Sequence, residues 1–231
     1  MTFDATFATE LLLKIIEKLI PDHRNTQQEV DELRRKHPYA SREKLAKIFA
    51  ARARLRYTTA GAVSALPGLV PGLGTAAQVV AESAAVLGDV PYMVRQFADV
   101  MQGVCMIYGF DNGAFDKKLF MRVLGYWCKA LKFAREAAVA EAAKQAGKFV
   151  SKYFSRDVTK RISQHVGRRI VTKYGTKRGF VSVGRVIPLG IGIGVGAAFN
   201  FATMHCYNKA CIAYFEYRTK HPDEDVYEIA A

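Results

Sequence analysis

Between Ala60 and Gly88 the chain reads AGAVSALPGLVPGLGTAAQVVAESAAVLG, and Glu82 is the only ionisable residue in it. A stretch this apolar has to leave water, either for a protein core or for a lipid interface. Pro67 and Pro71, with Gly68, Gly72 and Gly74, prevent one continuous helix through the block. Two apolar arms around a turn remain, and Thr75 is placed to cap the second arm, a small-residue helix reaching Leu87. Each arm holds about 12 apolar residues, short of the roughly 20 needed to cross a bilayer. The block therefore reads in one of two ways. It is a hairpin wedge dipping into a membrane, with Leu66, Pro67, Leu69, Val70, Pro71 and Leu73 at its tip, or it is two core helices joined by a tight turn.

A second apolar block, VIPLGIGIGVGAAFNFATM, covers Val186–Met204 without a charge. On a helix, Gly190/Gly194 and Gly192/Gly196 form two overlapping G-x-x-x-G pairs, a pattern that lets backbones approach closely. Glycine costs about 1 kcal/mol per residue relative to alanine in an isolated helix, so a packing partner is expected here. Pro188 and Asn200 make the block a poor membrane span. Read as a dinucleotide loop, Gly192-x-Gly194-x-x-Ala197 lacks the strand–turn–helix setting that loop requires.

Charge is distributed as unevenly as hydrophobicity. The 231 residues carry 34 Lys or Arg against 21 Asp or Glu, a net +13. Residues 1–128 account for +3, residues 186–231 for −2, and residues 129–185 for +12, with only Glu136, Glu141 and Asp157 as acids. Within that segment Lys144, Lys148, Lys152, Arg156 and Lys160 recur every four residues, while Ala146, Val150, Phe154, Val158 and Ile162 do the same two positions along. Two such rows describe a basic, amphipathic helix, and Arg161, Arg168, Arg169, Lys173, Lys177 and Arg178 extend the patch. A polyanionic partner is expected. Near an anionic membrane each Lys or Arg contributes on the order of 1 kcal/mol. Nucleic acid is the competing polyanion, since Tyr153, Phe154 and Tyr174 are interleaved with the basic residues. No helix–turn–helix, RRM, KH or zinc-finger pattern supports it.

Elsewhere the apolar spacing is helical, and the fold class expected is all-α, with no significant sheet. Phe7, Leu11, Leu12, Ile15, Ile16 and Leu19 form a stripe stopped by Pro21. Thr26 and Glu29 predict a capping box for a charged helix ending before Pro38, and Ser41 predicts the next cap. Asp89 and Pro91 predict a junction, followed by a helix from about Tyr92 to Tyr108 and a turn at Gly109–Gly113. From Phe115 onward the chain is helix-forming to about residue 150.

Composition excludes two classes. Half the residues are hydrophobic, too many for a disordered chain, and four cysteines are too few for a disulfide-stapled mini-fold. The four cysteines read as free thiols in a reducing compartment. The opening residues, with Asp4 and Glu10, lack a basic signal-peptide start, so a cytoplasmic location is expected. His205, Cys206 and Cys211 match no zinc spacing, Cys206 and Cys211 falling about 140° apart on a helix. Glu82 and Asp89 read as structural ion-pair partners of Arg56 or Arg95, in preference to acid–base catalysts. No catalytic motif, cofactor site or metal site is expected.

Residues 37–111 and 160–214 resemble the EcsC family. The likeness is carried by HPYASREKLAKIFAARARLRYTTAGAVSALPGLVPGLGTA, the Asp89–Pro91 step, IYGFD at 107–111, and IPLGIGIGVGAAFNF with Asn200. The family is named after a bacterial protein encoded beside an ABC transporter, and the resemblance implies a helical, membrane-associated protein with no shared catalytic residues. On this reading residues 1–38 are an N-terminal helical appendage, 39–220 the helical domain and 221–231 an acidic tail. The expected function is that of a peripheral membrane protein on the inner face of the membrane, not an enzyme. It would bind anionic lipids or a hydrophobic ligand, with a membrane protein as a further candidate partner. The alternative is a soluble scaffold whose basic patch docks an acidic protein, or nucleic acid. Neither oligomeric state nor lipid class is specified by the residues.

Overall fold

A computed structural model describes residues 5–19, 21–64, 75–129, 131–133, 162, 164, 191–224 and 226–228. These residues are all-α. Six helices are joined only by one short antiparallel ribbon. The helices are α1 (Ala5–Lys18), α2 (His23–Lys36), α3 (Arg42–Ser64), α4 (Thr75–Tyr108), α5 (Lys117–Trp127) and α6 (Ile191–Lys220). The ribbon pairs β1 (Leu131–Phe133) with β2 (Val226–Glu228), Lys132 opposite Tyr227.

The helix starts follow side-chain capping, with one departure from expectation. Ser41 Oγ accepts the Lys44 N–H at 3.2 Å and opens α3 as predicted. The capping box at Thr26 and Glu29 does not form. Asp22 caps α2 instead, accepting the Asn25 N–H at 3.0 Å, and Thr26 lies inside the helix with its hydroxyl on the Asp22 carbonyl. An aspartate at the cap adds a favourable charge at the dipole's positive end, and the earlier start buries Thr26, Val30 and Leu33 along one stripe. Asp116 caps α5, accepting from the N–H groups of Lys118 and Leu119.

The predicted junction at Asp89–Pro91 is also overturned, because α4 runs unbroken for 34 residues with Pro91 inside it. A proline within a helix costs about 3 kcal/mol. Its neighbours Val90, Met93, Val94 and Phe97 are all buried, and a buried apolar side chain of this size contributes about 1.5–3 kcal/mol. Tertiary burial outweighs the local penalty. The turn at Gly109–Gly113 forms as expected. Gly109 (φ +84°) sends its N–H to the Met106 carbonyl, and Phe110 sends its own to Cys105. This is a Schellman closure of α4. Arg34 Nη2 donates to the Met106 carbonyl at 2.9 Å, tying α2 to the same helix end.

Beyond Phe115 the expected long helix stops at Trp127. Lys129 adopts a left-handed φ of +63°, and Leu131–Phe133 turns to pair with Val226–Glu228, so part of the acidic tail is strand. Trp127 packs edge-on against Phe97 and Tyr207, which fixes where α5 ends. Three paired residues are too few to leave a readable alternation in sequence.

The centre is a bundle of α3, α4 and α6, with α3 antiparallel to both neighbours. Asn208 Nδ2 donates to the Ala50 carbonyl at 2.7 Å, and Asn200 Nδ2 donates to the Tyr57 carbonyl at 3.1 Å. Tyr207 donates to the Phe97 carbonyl at 2.9 Å while its ring stacks on Phe97 at 4.0 Å. Leu12 and Ile16 of α1, and Val30 and Leu33 of α2, belong to the same buried cluster, so the N-terminal stretch shares this core. Ile162, the last of the apolar row in the basic segment, is buried there as well, and Gln164 is exposed.

Gly103 on α4 lies against Phe49 of α3, and a Cβ at that position would fall within the Phe49 ring. Gly103→Ala is expected to destabilise by about 1–3 kcal/mol through overpacking, although helix propensity alone favours alanine by about 1 kcal/mol. Denaturant titration should show a lower midpoint with an unchanged slope.

Candidate functional site

The antiparallel pairing sorts the chemistry of the bundle from end to end. At one end Glu43 pairs with Lys47 and Glu216 with Lys220, and the field of each pair reaches the other across α3 and α6. About two-thirds of the way along α3, Tyr57 lies beside Tyr92 of α4 and takes the Asn200 bond from α6. From that level to the opposite end, residues 57–64 of α3 and 191–204 of α6 carry no charge, and residues 75–88 of α4 carry only Glu82. The antiparallel register thus puts the uncharged end of α3 level with the uncharged start of α6, forming an apolar pole by composition. None of the described helices is long and apolar enough to cross a membrane.

Of the exposed large hydrophobics among the described residues, Leu55 lies on α3, Phe201 on α6, and Tyr39 between α2 and α3. Leu55 is 66% exposed and Phe201 46% exposed, and His205 is exposed beside Phe201. The Arg54 guanidinium sits 4.6 Å from the Phe201 ring centroid, and its Nη1 lies 2.8 Å from His205 Nδ1. Arginine has only hydrogens to offer, so Nδ1 is the acceptor in this contact. The Phe201 and His205 rings are parallel to within 8°. No acid occurs on α3 from Lys44 to Ser64 or on α6 from Ile191 to Phe215. Arg56 Nη1 meets Glu29 of α2 at 3.2 Å, and the side chains of Glu82 and Asp89, its expected partners, lie outside the described ones.

Of the lipid-contact residues expected from sequence, Gly192, Gly194 and Gly196 lie in the first turns of α6. Leu66, Pro67, Leu69, Val70, Pro71, Leu73 and Gly190 lie outside the described residues. So do Lys144, Lys148, Lys152, Arg156, Lys160, Arg161, Arg168, Arg169, Lys173, Lys177 and Arg178. The Arg54–Phe201–His205 group went unnoticed in the sequence because its members are about 150 positions apart; its one visible signal is the absence of acids around Arg54.

A second polar feature lies beneath the loop after α4. A cavity of about 20 Å³, the size of one water molecule, is lined by Gln102, Cys105, Asp111, Asn112 and Asp116, among others. Its carboxylates have structural partners. Asp111 pairs with His23 at 3.0 Å and accepts the Gly113 N–H, and Asp116 caps α5. Burial, reinforced by Asp111 and Asp116, pushes the Cys105 thiol up to about 12, which makes it a poor nucleophile. Burial likewise raises Cys211 well above the ordinary thiol range. Cys206 is exposed and Cys211 buried, the opposite-facing arrangement expected from their spacing. Among the described residues no three His, Cys, Asp or Glu side chains gather as a metal site would require. Compared with known proteins, the chain matches no family model, no curated protein and no solved structure.

Two outcomes follow from these environments. In the native protein a thiol reagent should modify Cys206 rapidly and Cys105, Cys128 and Cys211 only on unfolding, so Cys206→Ser should abolish the fast phase. Asp99 of α4 is held above the ordinary carboxylate range by burial, which outweighs the pull of Arg95 and Arg56. A raised pKa means the folded state binds this proton more tightly than the unfolded chain does, so ionising Asp99 costs stability as pH rises through its folded value. Asp99→Asn should therefore raise the denaturation midpoint at neutral pH, with the gain vanishing below the ordinary aspartate range, where both states are protonated.

Proposed function

We propose that this protein is a peripheral membrane protein that binds lipid, and not an enzyme. The observation that carries the reading is the polarised bundle, with charged pairs at one pole and the uncharged ends of α3 and α6 at the other. A pole of that composition lowers its free energy by entering the interfacial layer of a bilayer, which needs no spanning helix. The +12 segment at 129–185 supplies the attraction to anionic headgroups. The resemblance of residues 37–111 and 160–214 to the EcsC family, read from their motifs and matched by no family model, implies membrane association as well. The functional carboxylates of an enzyme would have to be sought elsewhere than Asp111 and Asp116, which are engaged in pairing and capping.

Flotation with vesicles tests this directly. Recovery with phosphatidylcholine vesicles should rise strongly when phosphatidylserine is included. It should then fall as salt shortens the screening length from about 10 Å at 0.1 M towards 3 Å at 1 M. Equal recovery with and without the anionic lipid removes the electrostatic half of the proposal, and no flotation at low salt removes the whole. In that case a salt-sensitive complex with an acidic protein becomes the reading to pursue.

A further inference from the structure

The α3–α6 flank has a composition that the apolar pole alone does not explain. Leu55 and Phe201 project from it into solvent, and Arg54 lies between α3 and α6 with one face of its guanidinium covered by Phe201. Its bond to His205 Nδ1 uses one of five N–H donors and holds the group in place. The same bond leaves His205 Nε2–H as a second donor. Among the described residues no carboxylate pairs with Arg54, and the acid-free runs of α3 and α6 put none nearby along either helix. Lys209 adds positive charge to α6, while Arg52 of α3 acts on Glu32 of α2. An oriented, part-desolvated guanidinium beside exposed apolar side chains is complementary to a ligand that is anionic at one point and hydrocarbon next to it.

We infer that the Arg54–His205–Phe201 group binds the phosphodiester of an anionic phospholipid, with Leu55 and Phe201 against its acyl chains. The inference rests on the membrane reading above and specifies which side of the bundle faces lipid. Phe201 precedes His205 on α6 and so lies nearer the uncharged start of that helix. A soluble phosphate would use the two donors but gain nothing from Leu55 and Phe201, which is why the lipid is the occupant favoured.

Three variants and two ligand forms test it. Vesicles of phosphatidylcholine with phosphatidylserine are titrated with the full chain, with Arg54→Gln, and with Arg24→Gln. The last removes the same charge from an exposed site on α2, beside the His23–Asp111 pair. A generic surface charge is worth roughly fivefold in vesicle affinity. Arg54→Gln should lose clearly more than that, about tenfold or more, and Arg24→Gln should lose fivefold or less. Phe201→Trp provides a direct readout. Its emission should shift to the blue on these vesicles and be quenched by brominated acyl chains, against the buried Trp127 background of the unmodified chain. If the chain floats but Arg54→Gln behaves as Arg24→Gln does, or the new indole is not quenched, the inference fails and the membrane reading stands. If the unmodified chain does not float, both fail. Millimolar inorganic phosphate in place of vesicles separates the sources. Saturable shifts of the His205 ring resonances with phosphate, but no vesicle binding, would assign the group to free phosphate and overturn the lipid assignment.

Discussion

Three side chains of α6 reach inward and donate hydrogen bonds to main-chain carbonyls of the neighbouring helices, and the arrangement of the bundle depends on them. Asn200 and Asn208 bond to Tyr57 and Ala50 of α3, and Tyr207 bonds to Phe97 of α4. Each carbonyl lies within a helix, so it serves as acceptor at a second lone pair. A single bond of this kind contributes only about 1 kcal/mol net, but a buried amide left without it costs about 1–3 kcal/mol. The bonds therefore act mainly on register. Sliding α6 by one residue turns every side chain by about 100° and takes both asparagines off their acceptors at once. With Asn200 and Asn208 directed inward, Phe201 and His205 are carried to the outer side, where Arg54 meets them.

The same register produces the separation of charge from apolar surface. Antiparallel α3 and α6 set Glu43 and Lys47 near Lys220 and Glu216 at one pole. The uncharged turns of both helices then necessarily share the other. Arg34 and the Schellman turn at Gly109 close α4 at the charged pole, satisfying carbonyls that would otherwise lack partners.

Much of this was readable from residues alone where the cause is local. The apolar stripe through Leu12, Ile16 and Leu19, the Ser41 cap, the Gly109–Gly113 turn and the opposed positions of Cys206 and Cys211 all follow from periodicity or from the chemistry of one or two side chains. Where two local rules competed, packing chose. Asp22 displaced the Thr26–Glu29 box because the earlier start buries a full stripe of α2, and Pro91 stays helical because its neighbours are buried on several sides. Trp127 stops α5 by lodging against Phe97 and Tyr207, a restraint invisible in a stretch that otherwise favours helix throughout.

Helical class, the two apolar blocks and the +12 segment are properties of composition and spacing, so they are legible before any folding is considered. The identity of α6's inward face, the meeting of Arg54 with Phe201 and His205, and the gathering of uncharged helix ends at one pole are not. They join positions about 150 residues apart. Such contacts arise only when antiparallel packing and buried asparagine bonds settle the register between helices, and no one segment contains that information.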